Sequence, residues 1–194
     1  HRDLHTAYRR QRQMCIRDRD GVSYEEITYE GYGPEGVAIL VRVVTDNRNR
    51  AAAAVRHIFS KHGGNLAAAG SVAWLFERRG VLTLEQLPDE VDKDELLMNL
   101  IELGAQEFDD QGDLIEVYCS PNDLAALTQE VGKLGITPTR AEVTMIPKNT
   151  VHVEGTAAEK VLKLIDALDD NEDVQEVFAN FDIPDEILAK VEGG

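Results

Sequence analysis

Residues 37–45 (VAILVRVVT) form a nearly continuous run of aliphatic and β-branched side chains, interrupted only by Arg42. A run without polar alternation is typical of a strand that is covered on both faces. It therefore predicts a central strand in a sheet with helices packed against it. The run is also well short of the roughly 18 apolar residues that a membrane-spanning helix needs, so no membrane partner is expected.

The segment after this run predicts a helix over residues 48–62. Asp46 or Asn47 can cap its first turn, and Gly63 follows its last turn. The apolar side chains of this helix recur at helical spacing at Ala51, Val55, Ile58 and Phe59. A further strand is expected where side chains alternate at Val72, Trp74 and Phe76. Together these elements predict one βαβ unit, preceded by a short strand over residues 24–30.

The second half of the chain predicts the order βαββαβ over residues 81–146, which is typical of a ferredoxin-like domain. Strands are expected at 81–84, 106–109, 114–119 and 141–145, and helices at 92–103 and from 120 to 134. A last βαβ segment follows, with strands near 151–153 and 174–179. That segment is too small to bury a core alone, and the βαβ unit before residue 81 has the same deficiency.

We therefore predict an α/β (α+β) chain of two ferredoxin-like βαβ-βαβ domains, one inserted within the other. The outer domain combines residues 22–80 with 148–182, and the inserted domain covers residues 81–147. Residues 183–194 are expected to be a C-terminal tail. Residues 1–19 hold six arginines and two aspartates without apolar periodicity, so we expect a non-native or disordered basic tail there.

The charge of the chain is strongly acidic but unevenly distributed. Its formal net charge of −16 argues, taken as a whole, against nucleic-acid binding, which depends on Lys and Arg. Residues 37–80, however, carry seven basic and two acidic side chains, whereas residues 81–194 carry seven basic and 27 acidic ones. The charge pattern thus predicts one segment that can approach phosphate and another that would be repelled by it.

No arrangement of side chains predicts catalysis, a metal site or a cofactor. Residues 31–36 match GxGxxG, but a strand rather than a helix is expected after them, so they predict a hairpin turn and not a dinucleotide site. His57 and His62 lack a metal-binding spacing. The two cysteines, Cys15 and Cys119, lie far apart without a CxxC pattern, which favours a reducing, cytoplasmic location.

The candidate binding residues are basic side chains of the segment 37–80. On the predicted helix, Arg50, His57 and Lys61 share one stripe that carries no acidic residue. Arg and Lys in such a stripe can contact phosphates, although a solvated helix face is the alternative explanation. The predicted nucleic-acid-binding residues are Arg48, Arg50, Arg56, Lys61, Arg78 and Arg79.

Several sequence blocks, in order, resemble the YebC/PmpR family. They are YEGYGP at 29–34, VRHIFSKHGGNL at 55–66, GSVAWLF at 70–76, AEVTMIP at 141–147 and DVQEVFAN at 173–180. The resemblance covers about residues 22–190. It implies a three-domain, non-enzymatic, cytoplasmic protein described as a transcriptional regulator, with relatives that include a mitochondrial translational activator linked to ribosomes. The family's basic N-terminal helical domain has no counterpart here, so we expect the chain to be a fragment without it.

Three hypotheses about function remain open. The first is a regulator of gene expression that binds DNA or, in an alternative form, a translation factor that contacts ribosomal RNA on the ribosome. The second is a small-molecule sensor, because paired βαββαβ domains also build amino-acid-binding modules. The third is an interaction platform, in which the acidic segment 81–146 docks a basic partner such as a ribosomal protein.

Overall fold

The computed structural model describes residues 23–182, which divide into two compact units. The outer unit consists of residues 23–76 and 147–182, and the inserted unit is Glu77–Ile146. The tails expected at residues 1–19 and 183–194 lie outside the described residues. No helix within 23–182 is long and apolar enough to cross a membrane.

Both units are built from strands and helices that alternate along the chain. In chain order, the elements are β1 (Glu25–Tyr32), β2 (Ala38–Thr45), α1 (Arg48–Lys61), β3 (Asn65–Ala67), β4 (Phe76–Glu85), α2 (Lys93–Glu102), β5 (Ala105–Asp110), β6 (Leu114–Cys119), α3 (Leu124–Lys133), β7 (Arg140–Pro147), β8 (Val151–His152), α4 (Gly155–Asp169), β9 (Val174–Ala179) and β10 (Phe181–Asp182). The predicted α/β fold class, with units of the βαβ type, is confirmed.

The outer unit contains a four-stranded sheet in the order β3-β1-β2-β9, and β8 and β10 form a separate parallel pair. Strand β2 pairs with β1 and with β9, both antiparallel, so the central strand predicted at residues 37–45 is confirmed. Its side chains join those of α1 and α4 in one apolar core. Burial on both faces explains the continuous aliphatic run in β2.

The third strand of the outer sheet differs from the prediction. The strand expected at Val72, Trp74 and Phe76 is wrong, because the chain pairs with β1 earlier, through β3. Residues 68–75 form a loop, and its last residues make a short 3-10 turn. The alternation was misleading: Val72 and Phe76 are buried, but the backbone between them bonds to a side chain and not to a neighbouring strand.

The inserted unit has the strand order β5-β6-β4-β7, with α2 and α3 as its helices. This is the order of a ferredoxin-like sheet, in which the first and third strands lie side by side, and it confirms the predicted βαββαβ segment. A second apolar core holds this unit together and includes Leu96 and Leu100 of α2 and Leu127 and Val131 of α3.

The glycine-rich segment 31–36 joins β1 and β2 in an antiparallel hairpin, as predicted. Glu35 and Gly36 adopt φ values of +59° and +75°, which turn the chain. Gly31 has a packing role, because a Cβ atom there would lie 2.6 Å from Cε1 of Phe59. Helix α1 can therefore approach β1 closely only because Gly31 lacks a side chain.

Candidate nucleic-acid interface

Helix α1 presents four of the six predicted binding residues. It begins after Asn47, whose side chain accepts a hydrogen bond from the backbone N–H of Arg50 at 3.0 Å. Ala51, Val55 and Phe59 face the core of the outer unit. The remaining face of the helix is directed to solvent, and no residue of α1 is acidic.

Arg50 is engaged within the protein. Its Nη2 lies 2.9 Å from Oδ1 of Asp173 and 2.9 Å from Oδ1 of Asp46. Hydrogen bonds to Asp173 and then to Asp46 raise the pKa of Arg50. Two carboxylates thus balance this guanidinium, so Arg50 joins α1 to the start of β9 more than it offers positive charge to an external anion.

Arg48, Arg56 and Lys61 are more available than Arg50 for contact with an external phosphate. Arg48 is exposed and lies 3.9 Å from a carboxylate oxygen of Glu25, a weak surface pair. Arg56 and Lys61 are exposed, and within residues 23–182 neither makes an ion pair or a side-chain hydrogen bond. These two cations are therefore the strongest phosphate-binding candidates on α1.

Arg78 and Arg79 belong to the inserted unit, so the structure does not gather the six candidates on one element. Arg79 is only 15% exposed in its side chain, and its Nη1 lies 2.9 Å from a carboxylate oxygen of Glu107. Its guanidinium also lies over the Tyr118 ring, 5.3 Å from the centroid. Arg79 is thus a packed, paired residue, whereas Arg78 is exposed and makes no ion pair within the described chain.

The basic residues of α1 lie in a longer stretch of one charge sign. From residue 47 to residue 76 the sequence contains no Asp or Glu, and we call these residues the acid-free segment. It comprises α1, β3 and residues 68–75, which we call the Trp74 loop. All of the acid-free segment belongs to the outer unit.

The buried side chain of Glu30 holds the Trp74 loop in place. Glu30 is 6% exposed, and its carboxylate accepts hydrogen bonds from the backbone N–H groups of Gly70 (2.5 Å), Val72 (3.0 Å) and Ala73 (2.6 Å). Burial alone would raise the pKa of Glu30, but the three N–H donors outweigh it, and the pKa is lowered. A charged carboxylate therefore fixes the loop.

Two aromatic side chains donate hydrogen bonds to the same carbonyl oxygen of this loop. Trp74 is 65% exposed, and its Nε1 donates to the carbonyl oxygen of Ser71 at 3.0 Å. The hydroxyl of Tyr32, at the end of β1, donates to the same oxygen at 3.3 Å. Sequence reasoning missed this pair because it assigned Trp74 to a strand. The available signal was Gly70 followed by Ser71, because both residue types favour turns.

The comparison with known proteins identifies similar chains. A family profile described as the TACO1/YebC second and third domain matches residues 24–181. A "probable transcriptional regulatory protein" of Dictyoglomus thermophilum is 52% identical over 168 residues, which cover 87% of this chain and 67% of that protein. One of the same name from Acidithiobacillus ferrooxidans is 49% identical over 173 residues, covering 89% of this chain and 68% of that protein.

A solved structure has the same fold. The crystal structure of a conserved hypothetical protein from Aquifex aeolicus superposes with a TM-score of 0.73 at 44% sequence identity. The match covers 88% of this chain and 70% of that one.

Proposed function

We propose that this chain, which belongs to the TACO1/YebC family, is a non-enzymatic, cytoplasmic regulator of gene expression that binds nucleic acid through helix α1. The observation that carries the proposal is the exposure of Arg56 and Lys61, which have no ion-pair partner within residues 23–182, on a helix that has no acidic residue. Unpaired cations of this kind can displace counterions from phosphates, which is the main source of non-specific affinity for nucleic acid.

DNA is the partner that the relatives' name supports, since they are called transcriptional regulatory proteins. The alternative is a translation factor that contacts RNA on the ribosome, because phosphate contacts from α1 serve either polymer. Helix α1 packs one face on the sheet of the outer unit through Ala51, Val55 and Phe59. Because α1 lies between β2 and β3 and is not part of a helix-turn-helix, we propose contacts to the backbone of a nucleic acid rather than insertion into a major groove.

The first experiment removes Arg56 and Lys61 and compares the loss of nucleic-acid binding with that caused by removing two exposed lysines elsewhere in the same unit. Arg56→Ala with Lys61→Ala is measured against Lys160→Ala with Lys163→Ala, which removes two exposed cations from α4 in the same unit. Binding of labelled duplex and single-stranded oligonucleotides is measured over a range of salt concentrations. The α1 variant should reduce the salt slope by about 1.8 on duplex DNA and about 1.4 on a single strand, and the α4 variant should not. Equal effects of the two variants would reject the α1 interface.

Crosslinking in cells distinguishes the two partners. Recovery of chromosomal DNA supports the transcriptional form, whereas recovery of ribosomal RNA supports the translational one. The α1 variant should lose either crosslink. The small-molecule-sensor alternative stays a prediction, and stabilisation of the protein by amino acids or nucleotides in a thermal-shift screen would support it.

A second candidate function belongs to the inserted unit. Met98 and Ile101 are exposed one turn apart on α2, on the side opposite the buried Leu96 and Leu100. The unit around them carries sixteen acidic and five basic side chains. An apolar patch with an acidic surround is complementary to a basic protein that offers apolar side chains, so we propose docking of a basic protein at α2.

A further inference from the structure

We propose that Trp74 and Tyr32 form a stacking platform for an unpaired base, so that the preferred ligand of the outer unit is single-stranded nucleic acid. This inference rests on the nucleic-acid binding proposed above, and it adds the class of ligand and the residues that select it. Every base offers a flat π-face, so an exposed aromatic side chain binds single strands with little sequence preference.

Hydrogen bonds within the protein hold both side chains of the platform. Nε1 of Trp74 and the hydroxyl of Tyr32 both donate to the carbonyl oxygen of Ser71, which ties both side chains to one point. The loop that carries Ser71 and Trp74 is in turn held by the three N–H bonds to Glu30. A side chain that is already held by hydrogen bonds loses little conformational entropy when it binds a ligand.

The platform also lies beside the basic end of α1. Gly64 lies just after α1 and packs against the backbone of β1, since a Cβ atom at Gly64 would be 2.5 Å from the carbonyl oxygen of Tyr32. Lys61, the last residue of α1, is only three residues before Gly64 in the chain. The backbone N–H of Lys148 donates to the carbonyl oxygen of Leu75, which is adjacent to Trp74 in the chain, and the Lys148 side chain is exposed.

The surroundings favour a nucleic acid over a protein as the occupant. The acid-free segment contributes no carboxylate, and the buried carboxylate of Glu30 is bonded to three N–H donors, which leaves Glu35, in the turn after Tyr32, as the exposed acidic residue nearest to Tyr32 in the chain. The exposed large hydrophobic residues described in the outer unit are all aromatic: Tyr24, Tyr32 and Trp74. Aromatic side chains also occur at the centre of protein interfaces, so the charge of the acid-free segment, and not the aromatic character, is what favours nucleic acid.

The experiment uses four probes of equal length: a single-stranded RNA, a single-stranded DNA, a duplex, and a strand of abasic sugar phosphates. Trp74 is the only tryptophan of the chain, so its intrinsic fluorescence reports the platform directly. We expect both single strands to quench this fluorescence, and the duplex and the abasic strand to bind without quenching it. A difference between the RNA and the DNA strand would show whether the 2′-hydroxyl contributes.

Variants are tested with the same probes by fluorescence anisotropy of labelled strands. Trp74→Ala should weaken single-strand binding roughly 5- to 150-fold and leave the affinity for the abasic strand unchanged. Trp74→Phe should restore most of the affinity, because phenylalanine can still stack. The control is Tyr24→Ala, which removes an exposed aromatic residue at the opposite end of β1 and should have no effect.

Failure of this inference can be distinguished from failure of the proposed function. If Trp74→Ala leaves single-strand binding unchanged, or weakens all four probes equally, the stacking platform is wrong while the α1 interface stands. If no probe binds the unaltered chain, or if the Arg56→Ala, Lys61→Ala variant binds like the unaltered chain, the α1 interface is wrong. Equal quenching by the abasic strand would also overturn base stacking.

Discussion

The inserted unit and the outer unit share a βαβ construction but present different surfaces. The inserted unit carries sixteen acidic and five basic side chains, and its exposed large hydrophobic residues, among them Met98 and Ile101, are aliphatic. The described outer unit carries fourteen acidic and eight basic side chains, but thirty consecutive residues of it are acid-free. Its exposed large hydrophobic residues are aromatic. The net charge of the chain is therefore a sum over two surfaces of different composition.

The two units also use arginine differently. In the inserted unit, Arg79 is mostly buried, paired with Glu107 and packed over Tyr118. In the outer unit, Arg56 is exposed and has no ion-pair partner among the described residues. Arg50 lies between these extremes, since it is half exposed yet held by Asp46 and Asp173. A count of basic residues along the sequence overestimates the positive charge that a ligand can use wherever the fold pairs those residues with carboxylates.

The largest expected effect concerns the two apolar cores. Phe59→Ala should lower the free energy of unfolding of the outer unit by about 3–5 kcal/mol, and Leu100→Ala should lower that of the inserted unit by about 2–5 kcal/mol. Each substitution removes a fully buried side chain. Hydrogen exchange in β1 and β2 reports the first variant. Alkylation of Cys119, measured in a Cys15→Ser background, reports the second, because burial of this thiol raises its pKa and limits its reactivity.

The comparison of the two cores has a clear contrary outcome. We expect Leu100→Ala to speed alkylation of Cys119 and Phe59→Ala to leave it slow, because the two apolar clusters share no residue among those described. If Phe59→Ala accelerates alkylation as much as Leu100→Ala does, the two units unfold as one and should not be treated separately.

A smaller effect is expected at Glu30, a buried carboxylate of the outer unit that holds a loop through backbone N–H groups. Glu30→Gln should lower the free energy of unfolding by about 1–3 kcal/mol at neutral pH, because it removes the buried, charged acceptor of three backbone N–H donors. The pKa of Glu30 is lowered in the folded protein, so its contribution is present above the ordinary glutamate pKa and lost as the pH falls below about 4.3.

The pH dependence is measured by urea unfolding and by hydrogen exchange at Gly70, Val72 and Ala73. The unaltered protein should lose stability and loop protection on acidification, and Glu30→Gln should show less of that loss. The control is Glu159→Gln, which alters an exposed glutamate on α4. An identical acid response in Glu30→Gln and the unaltered protein would mean that the carboxylate does not hold the Trp74 loop.

The smallest expected effect is that of the aliphatic patch on nucleic-acid affinity. Met98→Ser with Ile101→Ser should leave the affinity for oligonucleotides and its salt dependence unchanged, because no charge is altered. A basic protein is recovered from nuclease-treated lysate by the unaltered chain and then purified. The Met98, Ile101 variant should not bind this purified protein, whereas Tyr24→Ser should bind it. Loss of nucleic-acid binding in the Met98, Ile101 variant would contradict the separation of the two surfaces.

Patterns of burial were predicted well because they depend on local periodicity. The run at 37–45 predicted β2, the spacing of Ala51, Val55 and Phe59 predicted the buried face of α1, and the alternating segments of 81–146 predicted the ferredoxin-like unit. Each of these features reflects which face of a strand or helix must leave water, and a period of two or 3.6 residues records that requirement directly in the sequence.

Pairing over long distances in the chain could not be predicted in this way. Glu30 bonds to residues 40 to 43 positions further along, and this contact converts a segment that alternates like a strand into a loop with an exposed Trp74. Arg50 meets Asp173, 123 positions away. The sequence by itself determined the elements, their buried faces and the basic segment. Only the tertiary structure decided which cations stay free and which aromatic side chains reach the surface, because those outcomes depend on groups that folding brings together.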